Sequence, residues 1–232
     1  YENDKLEQYG SSFLKNGYSG AIIGACSAKD QHWLESICPR MPVVLINRES
    51  EYFSTVCTDN DEVGLMAATK IRQKGYTEAA IFASGHSYFA TNRRVQAFIN
   101  SCERLGIKTD EKYILKGLST RKGGYEIGKQ YASLKEPPKM IFCDSDAIAL
   151  GALRAFHELG ISVPKDAQLL SIGMLDPEDA SYYVPSLSVV EMPDKEIGQQ
   201  VLRLVRKKVL NNDLTPEHVN LHAKLVLRES FS

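Results

Sequence analysis

Short apolar runs alternate with helical stripes along the chain, and the clearest example lies in its second half. Residues 141–143 form an apolar run too short for a helix, apolar positions at 148–156 recur with helical spacing, and residues 169–172 form another apolar run. Ser145 or Asp146 can cap the helix. The pattern predicts two parallel strands joined by a crossover helix, with its first turn at the carboxyl edge of the sheet. Ligands of open α/β sheets bind at that edge, although a purely structural unit is the alternative.

The same alternation extends over the rest of the chain. Further strands are predicted at 21–24, 42–48, 79–83, 114–115, 187–190 and 219–227. Helices are predicted at 6–17, 33–37, 60–75, 95–106, 121–134 and from 197 onward. Apolar and polar residues alternate throughout 219–227, which predicts one strand with a single buried face. The order of elements predicts an α/β fold with parallel sheets.

The predicted elements group unequally into two subdomains. About five strand–helix steps between residues 60 and 190 are enough for a complete doubly wound domain. We therefore expect one subdomain at 59–191 plus 223–232 and another, incomplete, at 1–58 plus 192–222. A first βαβ unit of the incomplete subdomain is expected to be missing ahead of Tyr1.

Composition and charge narrow the function classes. The 232 residues are 43% hydrophobic and 25% charged, with 28 Lys and Arg against 29 Asp and Glu, typical of a globular protein with real cores. A formal charge of -1 gives this segment no electrostatic means of gripping nucleic acid by itself. The chain shows no signal peptide and no run of about 18 apolar residues, which disfavours secretion and a protein that spans the membrane.

The five cysteines are odd in number and show no CxxC spacing. This usage is typical of reduced core residues in a cytoplasmic protein. The five histidines show no metal-ligand spacing either, so we expect no metal and no cofactor.

Four motifs carry a resemblance to a known family. They are RVQAF at 94–98, IFCDSDAIALGALRAFHELGISVPKDAQLLSIG at 141–173, VPSLSVV at 184–190 and LVLRES at 225–230. In order and spacing the chain resembles the effector-binding core of the LacI/GalR (lac/gal-repressor) family of transcription regulators. The strand at 42–48 and the pair Asp59-Asn60 match as well, so the resemblance covers nearly the whole chain.

The resemblance implies a fold and a function. The fold would be two Rossmann-like, doubly wound subdomains of the periplasmic-binding-protein type, joined by a three-strand hinge and closing on a small molecule. The protein would be a cytoplasmic homodimeric regulator that senses a sugar-like or other small polar effector. We expect this regulator to be a repressor. Operator DNA would be read by an N-terminal helix-turn-helix that is absent from these residues.

The resemblance also implies residue roles. Arg94 matches an effector-binding arginine of the family, and a guanidinium can hold hydroxyls or a carboxylate bidentately. Asp59, Asn60 and Asp146 fall near the family's ligand cleft, with helix capping as the alternative role. Arg48 is expected only to brace the strand at 42–48.

Departures from the family pattern fall on further effector positions. Ser145 stands where the family commonly has Asn, Leu118 stands where an aromatic residue is often found, and Leu175 stands where an effector-binding Asp is placed, with Asp176 one residue later. Buried sugar hydroxyls need polar partners, and a sugar ring favours an aromatic face. We therefore expect an atypical effector.

The dimer interface implied by the resemblance includes Leu150, on the helix after Asp146, and Tyr183, in the loop before Pro185. Ordinary packing is the alternative role of both residues. An isologous two-fold contact is the expected form.

Two other function classes fit less well. A solute-binding protein of a transporter shares the fold, but its cysteines would tend to pair, and the LVLRES ending favours the regulator. An enzyme is not expected, since the chain contains no GxxxxGK[ST], GxGxxG or GxSxG motif. Ser84 and His86 lie in one loop and are not expected to act as a nucleophile pair. Asp144 with Asp146 could chelate a cation, but helix capping is the simpler explanation.

Overall fold

The computed structural model describes residues 4–10, 17–85, 89–173 and 177–232. The chain divides into two compact units, one formed by Tyr1–Asp59 with Pro193–His222 and the other by Asn60–Met192 with Ala223–Ser232. The chain therefore passes between the units three times. Within the described ranges, no helix has the length and apolar character needed to cross a bilayer.

The elements are numbered in chain order. The strands are β1 Ala21–Ile23, β2 Val43–Ile46, β3 Ser54–Thr58, β4 Ala80–Ser84, β5 Ile114–Gly117, β6 Met140–Cys143, β7 Gln168–Gly173, β8 Ser188–Glu191, β9 His218–Leu221 and β10 Lys224–Val226. The helices are α1 Ala28–Ile37, α2 Asn60–Gln73, α3 Phe89–Arg104, α4 Arg121–Ala132, α5 Asp146–Glu158, α6 Pro177–Tyr182 and α7 Asp194–Asn211. Single 3-10 turns lie at Leu6–Tyr9, Glu111–Tyr113 and Glu229–Phe231.

The larger unit is built on a six-stranded sheet in the order β10-β8-β7-β6-β4-β5, in which only β10 is antiparallel to its neighbour. Successive residues of β4 show why the sheet is covered on both faces. Ile81 packs in the core formed with α2 and α3, whereas Phe82 packs in the core formed with α4 and α5. Side chains alternate across a strand, so a strand buried on both faces is apolar throughout.

The smaller unit has a four-stranded parallel sheet in the order β1-β2-β3-β9. Val44 of β2 and Val56 of β3 pack against Val201 of α7, whereas Leu45 of β2 packs on the other face with Leu34 of α1. The expected α/β class, with parallel sheets in two subdomains, is confirmed.

The apolar pattern does not predict strand β3, because its sequence, STVCT, contains three hydroxyl side chains. All five residues are nevertheless buried. Two of the three hydroxyls have partners in the β9 region: Thr55 Oγ1 lies 3.0 Å from His218 Nδ1, and Ser54 Oγ accepts from Glu217 N at 3.1 Å. A buried hydroxyl with a hydrogen-bond partner is tolerated in a sheet, and those partners lie far away in sequence.

The single strand predicted at 219–227 is wrong. The segment forms two strands, because β9 pairs in parallel with β3 of the smaller unit and β10 pairs antiparallel with β8 of the larger unit. The chain leaves one sheet and enters the other between His222 and Ala223. Alternation alone does not reveal that the two halves have different pairing partners.

The cysteines are free thiols, and four of the five are buried, as expected for core residues. Cys38 is the exception, because it is exposed at the end of α1. Burial raises the pKa of Cys102 to about 12, which keeps this thiol protonated and unreactive at neutral pH.

Candidate functional site

Two polar residues stand at the carboxyl ends of neighbouring parallel strands in the larger unit. Ser84 is the last residue of β4, and Asp144 directly follows β6. The strands are in register at Phe82 and Cys143, and Asp144 N donates to Phe82 O at 3.0 Å. Ser84 and Asp144 therefore lie side by side at the edge of the sheet where open α/β folds bind their ligands.

Only one of the two carboxylate oxygens of Asp144 has a hydrogen-bond partner among the described residues. The residue is 1% exposed, and Oδ2 accepts a 2.5 Å hydrogen bond from Ser84 N. The second oxygen, Oδ1, and the Ser84 hydroxyl are both buried, and no described residue forms a hydrogen bond with either atom. Buried polar atoms in native proteins almost always have a hydrogen-bond partner. Two buried atoms without one, on neighbouring residues, therefore indicate a place for a ligand or water.

Arg94 supplies the positive charge of this region. It lies in the second turn of α3 and is 3% exposed, unlike its neighbour Arg93, which forms a 3.6 Å ion pair with Asp61. Burial of Asp144 raises the pKa of its carboxyl to about 6, against the lowering effects of the Ser84 hydrogen bond and the Arg94 charge. The buried cation and the buried carboxylate are thus electrostatically coupled.

Ser145 rather than Asp146 caps α5. Its Oγ accepts from Ile148 N at 3.4 Å and lies 3.5 Å from the Ser119 hydroxyl. Asp146 is the first residue of the helix and is buried, so both predicted residues lie at the same sheet edge as Asp144. The open carboxylate oxygen of Asp144 is therefore not used as a cap.

The remaining predicted effector residues are more scattered. Asp59 follows β3 in the smaller unit, where its N–H donates to Leu221 O at 3.1 Å. Asn60 begins α2 in the larger unit, and its Oδ1 is buried without a hydrogen bond to any described residue. Leu118 is 54% exposed and lines a shallow groove of ≈ 240 Å³ beside β5. Leu175 and Asp176 lie outside the described residues.

The comparisons with known proteins assign the fold to a family. Residues 68–231 match the family model for a periplasmic binding protein-like domain. A LacI family transcription regulator from Clostridium acetobutylicum superposes with a TM-score of 0.92 at 31% identity, over 98% of this chain and 84% of that one. The chain belongs to the LacI family of transcription regulators.

Other relatives that match nearly the whole chain are also transcription regulators. The HTH-type transcriptional repressor PurR of Proteus mirabilis is 24% identical over 99% of this chain and 68% of its own length. A LacI family regulator from Enterococcus faecium, solved with bound ribose, matches with a TM-score of 0.81 at 19% identity over 97% of this chain and 83% of that one, which shows the shared fold. These relatives are transcription regulators rather than enzymes, and they support a ligand-sensing regulatory core over a transporter's binding protein.

The two residues predicted for the dimer interface of this LacI-family core lie together. Leu150, on α5, and Tyr183, after α6, line one surface groove of ≈ 530 Å³ with Arg154 and His157. Val184, also in the groove, is 93% exposed. The groove therefore presents apolar side chains to solvent beside Arg154 and His157.

Asp144 and Ser84 are the site residues that sequence reasoning did not assign to the effector. The signal in the sequence is a carboxylate immediately after a buried strand, a pattern that by itself indicates a cation ligand or a helix cap. In the described part of the chain, no group of three or more His, Cys, Asp or Glu residues is placed to hold a metal. The cross-strand hydrogen bond and the Oδ1 atom without a partner distinguish this carboxylate from a helix cap.

Proposed function

We propose that the larger unit binds a small polar, sugar-like effector at the edge formed by Ser84, Arg94 and Asp144. The observation that carries the proposal is the pair of buried, open polar atoms on Ser84 and Asp144 next to a buried arginine. The ribose bound to the E. faecium regulator supports a polyhydroxy ligand for this fold. Ser145 and Asp146 lie at the same edge. Asp59, Asn60, Leu118, Leu175 and Asp176 stay predicted contacts, supported by the family resemblance.

In this proposal the protein is a cytoplasmic homodimeric repressor, and its affinity for operator DNA depends on whether the effector is bound. A bound molecule changes a conformational equilibrium only by its differential affinity for the two states. In a dimer, the preferred state of each core can be passed to attached DNA-binding segments. The helix-turn-helix named for the P. mirabilis relative suggests how the DNA is read.

Residues 1–232 on their own are expected not to retain operator DNA selectively. The formal charge of -1 leaves no excess of phosphate-binding cations, and specific binding needs base-reading side chains in a groove. Fluorescence anisotropy with the regulator's own upstream DNA and a scrambled duplex is the measurement. Selective retention of the upstream duplex by these residues alone would overturn the proposed division between sensing and DNA binding.

Dimerisation is expected to depend on the groove that contains Leu150 and Tyr183. Val184→Asp should weaken the dimer by about 10-fold or more, because the contact would remove water from a carboxylate that replaces an apolar side chain. The variant should leave the monomer fold intact, since Val184 is 93% exposed. Sedimentation equilibrium measures the dimer dissociation constant, with Leu65→Asp, an exposed position on α2, as the matched control. Equal association of Val184→Asp and the unmodified protein would rule this surface out.

A further inference from the structure

The open oxygen of Asp144 has a fixed chemical character. An ionised carboxylate only accepts hydrogen bonds, so Oδ1 requires a donor from whatever fills the site. The backbone N–H of Ser84 already occupies Oδ2, which prevents the carboxylate from turning that oxygen toward a ligand. With a pKa of about 6, the carboxyl group is mainly ionised at pH 7.

Buried charges of both signs lie at this edge, because the Asp146 carboxylate is buried there beside Asp144 and Arg94. Arg94 and Asp144 are 3% and 1% exposed, so water screens neither charge well. An anionic ligand would gain the attraction of Arg94 but would meet the repulsion of the buried Asp144 carboxylate. A neutral hydroxyl compound meets no such repulsion, because one hydroxyl can donate to Asp144 Oδ1 while another oxygen accepts from the guanidinium. The Ser84 hydroxyl can act as either donor or acceptor.

We infer that Asp144 determines the specificity of the site, so that it accepts an uncharged polyhydroxy ligand and rejects anionic ones. The inference rests on the proposed function and narrows it, since Arg94 by itself would bind a carboxylate or a phosphate as well as a sugar hydroxyl. Asp144 acts as a hydrogen-bond acceptor for a ligand hydroxyl and as the counter-charge that offsets Arg94.

Asp144→Asn tests this role with little change of shape. The Asn side-chain oxygen can still accept from Ser84 N, while its NH2 group presents a donor where Asp144 presents an acceptor. The substitution also removes one negative charge from the site. We expect binding of neutral sugars to fall roughly 10-fold to 100-fold and the ratio of neutral to anionic affinity to fall further.

The probes are matched pairs: ribose with ribose 5-phosphate, and glucose with glucuronate. Isothermal titration calorimetry on the unmodified protein is expected to show tighter binding of a neutral member than of its anionic counterpart. Asp179→Asn, the same change at an exposed position on α6, is the control and should bind like the unmodified protein. Ser84→Ala is a second variant, because it removes only the hydroxyl and keeps the backbone bond to Asp144; it should lose roughly 5-fold in neutral-sugar affinity.

Three results would overturn the inference: equal or tighter binding of the anionic members, failure of every neutral sugar to bind, or an unchanged neutral preference in both variants. The proposed function fails by a different result, namely sugar binding that does not depend on Arg94. An anionic ligand held through Arg94 would therefore leave the sensing site standing and remove only the specificity assigned to Asp144.

Discussion

Arg94→Ala is expected to weaken effector binding by about 30-fold to 1000-fold, equivalent to about 2 to 4 kcal/mol. The side chain is 3% exposed and lies where its charge acts on the Asp144 carboxyl, so its bonds to a ligand would form in a poorly screened environment. Arg94→Lys should recover only part of the loss, because a point charge lacks the two-pronged geometry of a guanidinium. Calorimetry with the tightest-binding sugar is the measurement.

Arg93→Ala is the matched control, since Arg93 is the neighbouring arginine on α3 and pairs with Asp61 instead. The control should bind the sugar normally. Removing Arg94 also leaves the Asp144 carboxylate without its nearby cation, which favours protonation of the carboxyl. The double variant Arg94→Ala with Asp144→Asn removes that complication. Affinity equal to the unmodified protein in Arg94→Ala would exclude Arg94 from the site.

Gly151→Ala is expected to destabilise the larger unit by about 3 kcal/mol or more, with a fall in Tm of roughly 10 °C. A Cβ built on Gly151 would lie 2.0 Å from Arg121 O and 2.5 Å from Tyr125 N. Both contacts are with the backbone of α4, which cannot swing away as a flexible side chain can. Gly124 on α4 meets the backbone of Ile148 in the same way, so the two helices approach each other through glycines.

Gly198→Ala provides the control for this substitution. Gly198 lies within α7, and its added Cβ would meet no atom within 4 Å. The same change there should stabilise the protein by about 0.5 to 1 kcal/mol, because alanine favours helix more than glycine does. Thermal unfolding followed by circular dichroism measures both variants. Similar stability changes in the two variants would contradict the close helix contact at Gly151.

Several features of the fold could be predicted from the sequence because their causes are local. The crossover unit is an example: a short apolar run makes β6, helical spacing of apolar residues makes α5, and a side-chain oxygen one residue earlier caps that helix. The position of Ser145 and Asp146 at the carboxyl edge follows from their place directly after β6 in a parallel sheet. The candidate site could be predicted as far as that edge, and Arg94 was added by the family resemblance.

What only the tertiary structure decided depends on contacts between residues distant in sequence. Strand β3 is polar in sequence but is buried, and the Ser54 and Thr55 hydroxyls find their partners at Glu217 and His218. Gly151 and Gly198 are both helical glycines, yet only Gly151 faces the backbone of another helix. Asp144 is one carboxylate among many in the sequence; its open oxygen, its bond to Ser84 and its coupling to Arg94 arise because three separate segments meet at one sheet edge. Periodicity and spacing report the environment of a residue along its own element, whereas these properties depend on which other elements lie next to it.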